Sequence, residues 1–373
     1  MKPATKAGPL SRDAIVLSGW TWDAFNVPER VALALAHLGA RVLYCENPRS
    51  FFRSKEEPLT EVHPGIYRLV TRFVGHRLNH LPYAAEPQAR ILARQILQSA
   101  SALELKAPLF IYPHGDFFPP LCRQFKQTGF PLIHVCLDYP EPGQERLIEL
   151  SDLTLVVPKS VFHQLKAKFG AKVALIPQVR PGTSNGTQYP ASKLPPEFST
   201  IPRPRLGYIG AASDRLNLRV LEAILTSRPE WHFVHFGETK CLPLPNVHVL
   251  SWRHPSELRE VISHLDAGLM PYDCHSHKNF HCMPLKVFDY FMAGIPVVST
   301  PIVNLWEYSD LVYFGDDYPD VVRAIERALQ EPADSPRKVA RVEIAKQNSI
   351  EALANTLLGV LPPVGMSSHV PSD

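Results

Sequence analysis

Long apolar runs are missing from this chain of 373 residues. No stretch approaches the roughly 18 uninterrupted apolar residues that a membrane-spanning helix requires. Residues 1–19 also lack the apolar core of a secretory signal. We therefore expect a cytoplasmic protein without a spanning helix.

Cysteine and net charge are also in short supply. The six cysteines show no framework spacing, which favours a reducing compartment over a disulfide-stabilised secreted fold. The formal net charge of +3 is too small to indicate nucleic-acid binding, and we expect no nucleic-acid partner. However, residues 1–182 carry 22 Lys and Arg against 15 Asp and Glu, while the remainder carries 17 against 21. The opposite signs predict that the two halves face different partners.

What the sequence does contain is a regular alternation of short apolar runs and helical patterns. Strand patterns lie at 13–19, 41–48, 107–116, 131–140, 151–160 and 171–178, and they resume at 205–210, 231–237, 246–252, 266–272, 295–300 and 310–316. Strands separated by helices predict a parallel, doubly wound α/β sheet in each half. Two such Rossmann-like domains facing across a cleft would bind ligands outside the carboxyl ends of their strands.

Changes in composition predict the domain boundaries. We expect an N-terminal acceptor-binding domain over 1–182 and a Pro-, Gly- and Ser-rich linker over 183–204. A second domain over 205–335 and a helix over 336–361, packing back toward the first domain, follow. The polar tail 362–373 is predicted to be disordered.

Residues 274–282 are unusually rich in metal-binding side chains, with three His and two Cys. Structural zinc sites commonly use separated ligand pairs. The adjacent pairs Cys274-His275 and His281-Cys282 cannot easily converge on one tetrahedron, so we expect no metal here. His277 and His281 are instead expected to be polar side chains of a binding loop, with plain solvation as the alternative.

The segment that follows predicts a short helix with an anion site at its start. Pro284 suits a first helical turn, and Gly294 suits a helix end. Free backbone N–H groups at the helix start favour an anion, and Lys286 adds a positive charge suited to phosphate. Asp289 lies on the same face and can accept hydrogens from a ribose diol. The pattern predicts a nucleoside diphosphate, although both charges could also be solvated helix residues.

The stretch "PLKVFDYFMAGIPVVST" resembles the donor-site segment of GT-B glycosyltransferases, the glycosyl transferases group 1 (family 4-like). The resemblance covers residues 205–358 well and the first domain only in outline. It implies a GT-B fold and assigns Asp289 to the donor ribose, with His281 where many relatives have a second acidic residue. The other donor contacts that it implies are Gly210, Arg215, Arg253, Pro284, Leu285 and Lys286.

The resemblance also implies an activity. It indicates a hexosyltransferase that moves a sugar from a UDP- or GDP-sugar to an acceptor hydroxyl in polysaccharide, glycolipid or cell-envelope glycan synthesis, with retention of configuration. No Asp-x-Asp motif is visible, so we expect no divalent metal and no cofactor. Lys286 and Arg215 would then stabilise the leaving diphosphate. A nucleotide-sugar 2-epimerase and an inactive nucleotide-sugar-binding protein are the alternatives.

The acceptor side is less well marked. Asp138 and His114 follow strand patterns and could bind or deprotonate an acceptor hydroxyl, although each could equally cap a turn. Residues 66–100 interleave apolar residues with five arginines and one acidic residue, Glu86. This pattern predicts contact with an anionic membrane surface or a lipid-linked glycan acceptor, or alternatively a solvated helical face. The arginines are Arg68, Arg72, Arg77, Arg90 and Arg94.

Overall fold

The computed structural model describes residues 10–363, apart from 24–25, 51–56, 74–81, 114–117, 141–144, 180–193, 211–214, 238–241 and 252–254. Its contacts divide the chain into two units. The N-terminal unit comprises residues 1–177 and 350–373, and the C-terminal unit comprises 178–349. Two candidate residues, His114 and Arg253, lie outside the described residues.

The N-terminal unit is built on an eight-stranded sheet. Its strands, and the separate pair β3 and β6, are β1 (Ala14–Leu17), β2 (Val42–Cys45), β3 (Arg49–Ser50), β4 (Leu59–His63), β5 (Ile66–Leu69), β6 (Arg72–Phe73), β7 (Leu109–Pro113), β8 (Leu132–Cys136), β9 (Leu153–Val156) and β10 (Val173–Leu175). Its first helices are α1 (Val27–His37), α2 (Pro82–Ala102), α3 (Phe118–Lys126), α4 (Glu145–Leu150) and α5 (Lys159–Phe169).

The order of this sheet is β10-β9-β8-β7-β1-β2-β5-β4, and only β4 runs antiparallel to its neighbour. Strands β1, β2, β7, β8 and β9 are buried along their length. Such continuous apolar strands are expected where helices cover both faces of a parallel sheet. The doubly wound fold predicted for this half is therefore confirmed.

Strands β4, β5 and β6 were not predicted, because polar residues interrupt their apolar ones. The basic segment 66–100 is consequently not one helical face. Arg68 lies in β5 and Arg72 in β6, both partly buried, whereas Arg90 and Arg94 are exposed on α2. Arg77 lies outside the described residues.

The C-terminal unit contains a six-stranded parallel sheet in the order β13-β12-β11-β14-β15-β16. The strands are β11 (Arg205–Ile209), β12 (His232–Phe236), β13 (Val247–Leu250), β14 (Ala267–Met270), β15 (Val297–Ser299) and β16 (Val312–Phe314). The helices are α6 (Leu218–Ser227), α7 (Pro255–Ile262), α8 (His277–Phe280), α9 (Lys286–Ala293), α10 (Tyr318–Leu329) and α11 (Pro336–Gln347). The second doubly wound fold is confirmed as well.

The predicted terminal helix over 336–361 is two helices. The first, α11, packs against α9 within the C-terminal unit. Its buried Arg341 donates a hydrogen bond to the carbonyl of Gly294 (3.1 Å) and pairs with Glu331. The chain leaves the helical path at Asn348, and α12 (Ile350–Val360) packs on α1 in the N-terminal unit. The helical periodicity of the sequence continues across this break, because both helices are amphipathic. What changes is the helix that each one packs against.

No helix within the described ranges is both long and apolar enough to cross a membrane.

Candidate functional site

The strand order of the C-terminal unit locates its ligand crevice. From β11 the chain proceeds outward through β12 and β13, and it then returns to place β14 on the other side of β11. Open α/β sheets bind ligands at this reversal, outside the carboxyl ends of the strands. The segments that leave β11 and β14 at this edge contain Gly210 and Tyr272, respectively.

Gly210 occupies a position that a side chain would disturb. Its φ is +120°, a region that favours glycine. A Cβ built there would lie 3.2 Å from the Lys286 ammonium nitrogen, so the cation approaches the bare backbone. The Gly210 carbonyl accepts a hydrogen bond from Nε2 of the buried His235 (2.7 Å), and its N–H donates to the carbonyl of Phe236 (3.1 Å). These hydrogen bonds fix the backbone at the end of β11, and the absence of a side chain at Gly210 leaves it accessible to Lys286.

Lys286, the first residue of α9, places its ammonium group among aromatic rings. Nζ lies 3.8 Å from the ring centroid of Tyr208 and 5.4 Å from that of Tyr272. Burial, and to a smaller extent the positive charge of Arg215, lower the pKa of Lys286 from 10.5 to about 7, against opposing contributions from Cys282 and Asp289. We expected a permanent positive charge at this position. Instead, the ammonium loses its hydration and is charged about half the time near neutral pH.

The chain around Lys286 is fixed by side chains that are distant in sequence. Asn304 donates through Nδ2 to the carbonyls of His281 (2.7 Å) and Cys282 (3.2 Å), and Gln178 donates to the carbonyl of Met283 (2.9 Å). Pro284 is buried and Leu285 is partly exposed. The hydrogen bonds from Asn304 and Gln178 thus fix the backbone that leads into α9.

Helix α9 itself is tied to β11. The Tyr290 hydroxyl donates to the carbonyl of Gly207 (3.1 Å) and accepts from the N–H of Ile209 (3.2 Å). The helix ends at Gly294 with φ of +72°, as the sequence predicted. Asp289 lies one turn after Lys286 and is partly exposed, so both predicted donor residues belong to this helix.

Arg215 is brought to the same edge by a short bridge. Leu216 pairs with Tyr272, and the carbonyl of Arg215 accepts a hydrogen bond from the N–H of Asp273 (2.8 Å). Its charge reaches both Lys286 and Tyr272, since it affects the pKa of each. The structure therefore brings together Gly210, Arg215, Lys286 and Asp289.

The side chains of the His- and Cys-rich segment 274–282 make several separate contacts. Cys274 directs its thiol to the Thr300 hydroxyl (3.4 Å), while Cys282 is buried. The rings of His277 and His281 stack with centroids 6.0 Å apart, and Phe280 packs edge-on against His281. Burial and then the neighbouring His277 lower the pKa of His281. Among the described residues, no group of three or more His, Cys, Asp or Glu side chains could hold a metal ion.

The acceptor candidates belong to the N-terminal unit. Asp138 follows β8 and is partly exposed, and its carbonyl receives the Cys136 thiol (3.2 Å). Sequence reasoning overlooked Glu46, a buried carboxylate directly after β2. It accepts the N–H of Trp22 (2.7 Å) and pairs with Arg49 (3.3 Å), so it holds the loop after β1. The sequence signal that could have identified Glu46 is a carboxylate directly after an apolar strand pattern.

The C-terminal unit matches a known protein family. The model of the "glycosyl transferase-like" family matches residues 215–359. This segment is therefore similar to the domains of that family. It contains Arg215, Lys286 and Asp289, while Gly210 lies directly before the match.

A relative with a similar assignment was found in Bacillus subtilis (strain 168). The chain is 28% identical over 200 residues to TuaH, which is assigned as a teichuronic acid biosynthesis glycosyltransferase. The match takes in 47% of this chain and 48% of TuaH, so the chain spans about half the length of that relative.

Solved structures show the fold of the whole chain. The E. coli trehalose-6-phosphate structure bound with UDP-2-fluoro glucose matches 94% of this chain and 100% of its own, with a TM-score of 0.68 and 13% identity. Sucrose-phosphate synthase from Thermosynechococcus elongatus matches 93% of this chain and 97% of its own, with a TM-score of 0.69 and 15% identity. The chain has the GT-B glycosyltransferase fold, as the sequence resemblance implied.

Proposed function

We propose that this protein is a GT-B glycosyltransferase that moves a sugar from a nucleoside diphosphate sugar to an acceptor hydroxyl in cell-envelope glycan synthesis. The observation that carries the proposal is the Lys286 ammonium, held 3.2 Å from the Cβ position that Gly210 leaves empty. A cation beside bare backbone at the switch point of a parallel sheet suits a diphosphate. The glycosyl transferase-like domain and the assignment of TuaH support the same class of reaction.

Two cations can stabilise the leaving group. In the reaction, the bond between the sugar anomeric carbon and the diphosphate oxygen breaks, and the electron pair remains on the diphosphate. In our proposal, Lys286 and Arg215 face the diphosphate, and their interaction with its developing negative charge strengthens in the transition state. Charge neutralisation by the side chains themselves supports our proposal that no divalent metal is needed.

The same site also supports a nucleotide as the carrier of the sugar. Asp289 would accept the ribose hydroxyls, one helical turn from the Lys286 cation. The E. coli structural relative carries a UDP-sugar analogue, so a UDP-sugar is the first donor to test. Retention of configuration rests on the resemblance to group 1 enzymes and would be read from the anomeric configuration of the product by NMR.

The experiment that tests this proposal follows nucleotide release from a panel of UDP- and GDP-sugars, with and without glycan acceptors. A transferase releases nucleoside diphosphate in an acceptor-dependent manner, and activity should persist in EDTA. An epimerase would convert the donor sugar without needing an acceptor, and an inactive binder would bind the donor without releasing nucleotide. Turnover that EDTA abolishes and added metal restores would contradict metal independence.

We also propose that the N-terminal unit rests on the anionic inner face of the cell membrane, where a lipid-linked acceptor would be available. The structure shows fewer exposed arginines in support of this proposal than the five that the sequence suggested. Arg90, Ile91 and Arg94 form an exposed patch on α2, and Glu86 is engaged by Arg123. Two arginines contribute about 2 kcal/mol near such a surface, which is sufficient only for weak, salt-sensitive attachment.

Liposome co-sedimentation tests the membrane proposal. Binding should require anionic lipid and fall in an Arg90→Gln/Arg94→Gln variant. The matched control is Arg323→Gln/Arg327→Gln, a pair with the same spacing exposed on α10 of the C-terminal unit. Equal binding by all three proteins, or no binding at low salt, would contradict attachment through α2.

A further inference from the structure

A pocket lies at the carboxyl edge of the C-terminal sheet, outside the residues assigned to the nucleotide. Its volume is about 240 Å³, which is below the roughly 300–1,000 Å³ of pockets for drug-sized ligands. The segments that follow β11, β14, β15 and β16 form its walls, and they contribute Asn217, Tyr272, Phe280, Thr300, Pro301 and Asp316. Since Tyr272 also faces the Lys286 ammonium at 5.4 Å, the pocket borders the proposed diphosphate site.

The polar groups of this pocket favour an uncharged ligand with hydroxyl groups. Asp316 is exposed and makes no hydrogen bond or ion pair within the described part of the chain, so its carboxylate is available as an acceptor. Asn217 uses Oδ1 to cap α6 at the N–H of Val220 (3.2 Å), which leaves its NH₂ group as a donor. His275 is paired with Asp273. A carboxylate without a cation of its own disfavours phosphates and other anions.

The aromatic groups at the pocket favour a ligand that presents a flat face of C–H groups. Phe280 lines the pocket and packs edge-on against Trp306, with ring centroids 6.3 Å apart. Trp306 is 52% exposed, an unusually large apolar side chain to leave in water. Asn304, two residues before it, donates to the carbonyls of His281 and Cys282, so the backbone that leads to Trp306 is tied to the segment before α9.

We propose that this pocket and Trp306 form a subsite for one pyranosyl ring. The ring would place hydroxyls on Asp316 and Asn217 and turn its C–H face toward Phe280 and Trp306, because aromatic faces carry partial negative charge. The proposal deepens the glycosyltransferase function proposed above and rests on it. The pyranosyl ring has two sources, the sugar of the donor and a ring of the acceptor glycan.

Calorimetric titration of the full chain separates the two sources. One arm compares UDP with UDP-glucose and GDP with GDP-mannose, and the ratio of the two dissociation constants gives the contribution of the sugar. The other arm uses maltotriose, cellotriose and chitotriose. Asp316→Ala and Trp306→Ala are the variants. The matched controls are Asp310→Ala, at the opposite end of β16, and Trp20→Ala, an exposed tryptophan of the N-terminal unit.

We expect both pocket variants, and neither control, to weaken sugar binding about tenfold or more, since Asp316→Ala removes a hydrogen bond to a charged group and Trp306→Ala removes the aromatic face. Loss of the sugar contribution with unchanged UDP or GDP affinity identifies the donor sugar. Loss of trisaccharide binding alone identifies the acceptor. If the wild type binds no nucleotide, the proposed function fails, and the trisaccharide arm decides the subsite by itself. Sugar binding that survives in both variants, or is absent in both arms, overturns the subsite.

Discussion

The depressed pKa of Lys286 makes nucleotide affinity depend on pH. A diphosphate bound beside Nζ restores the preference for the ammonium form, so only the protonated lysine is ready to bind. Because the pKa is about 7 in the empty site, affinity should be close to its maximum below pH 7. It should then fall about tenfold per pH unit above pH 7, reaching about fiftyfold weaker binding at pH 9 than at pH 7.

The same charge lowers the stability of the empty protein. The fall from 10.5 to about 7 corresponds to about 5 kcal/mol against the ammonium, which solvent screening reduces to about 2–3 kcal/mol because the side chain is partly exposed. Since the folded pKa lies below the unfolded one, this destabilisation is fully present below pH 7 and disappears as the pH rises toward 10.5. Lys286→Met should therefore raise the free energy of unfolding at pH 6 while weakening nucleotide binding.

Titration calorimetry with UDP and GDP from pH 6 to 9 measures the affinity, and urea unfolding at pH 6 measures the stability. At pH 8, binding should take up close to one proton, which two buffers of different ionisation enthalpy reveal. Lys346→Met is the matched control, a partly exposed lysine on α11 paired with Glu343. A flat affinity between pH 7 and 9, or a Lys286→Met variant that keeps the wild-type slope, would refute the reasoning.

Three further variants test the remaining parts of the site. Asp289→Asn should weaken donor binding without unfolding the protein, since the ribose loses a charged acceptor; calorimetry with UDP-glucose should show at least about tenfold weaker binding, and wild-type affinity would contradict the assignment. Gly210→Ala should cost about 1–3 kcal/mol in urea unfolding because of its positive φ. The same change should block nucleotide binding by crowding Lys286. Asn304→Ala should cost about 1–3 kcal/mol in the same assay and weaken donor binding, because it leaves the carbonyls of His281 and Cys282 without their donor; unchanged binding would separate this anchor from the site.

Local pattern alone predicted much of the fold. Buried parallel strands appear as short continuous apolar runs, so the strands predicted in both halves and the helix from Lys286 to Gly294 were visible in the sequence. The resemblance of that helix to a donor-site segment then predicted the GT-B fold. Strands whose apolar residues are interrupted by polar ones leave weaker patterns, which is why β4, β5 and β6 were not predicted and a helical face was considered as the alternative for 66–100.

The chemistry of the site was decided by tertiary structure. The sequence supplied Lys286, but the burial that lowers its pKa, and the rings of Tyr208 and Tyr272 beside its ammonium, arise only in the folded chain. His235 and Asn304 hold the neighbouring backbone from distant positions. The pocket beside Trp306 has walls from four separate loops. Side-chain periodicity shows which residues of one helix or strand face inward. It does not show which helices and strands pack together or which charged groups become buried, because these depend on the assembled sheet.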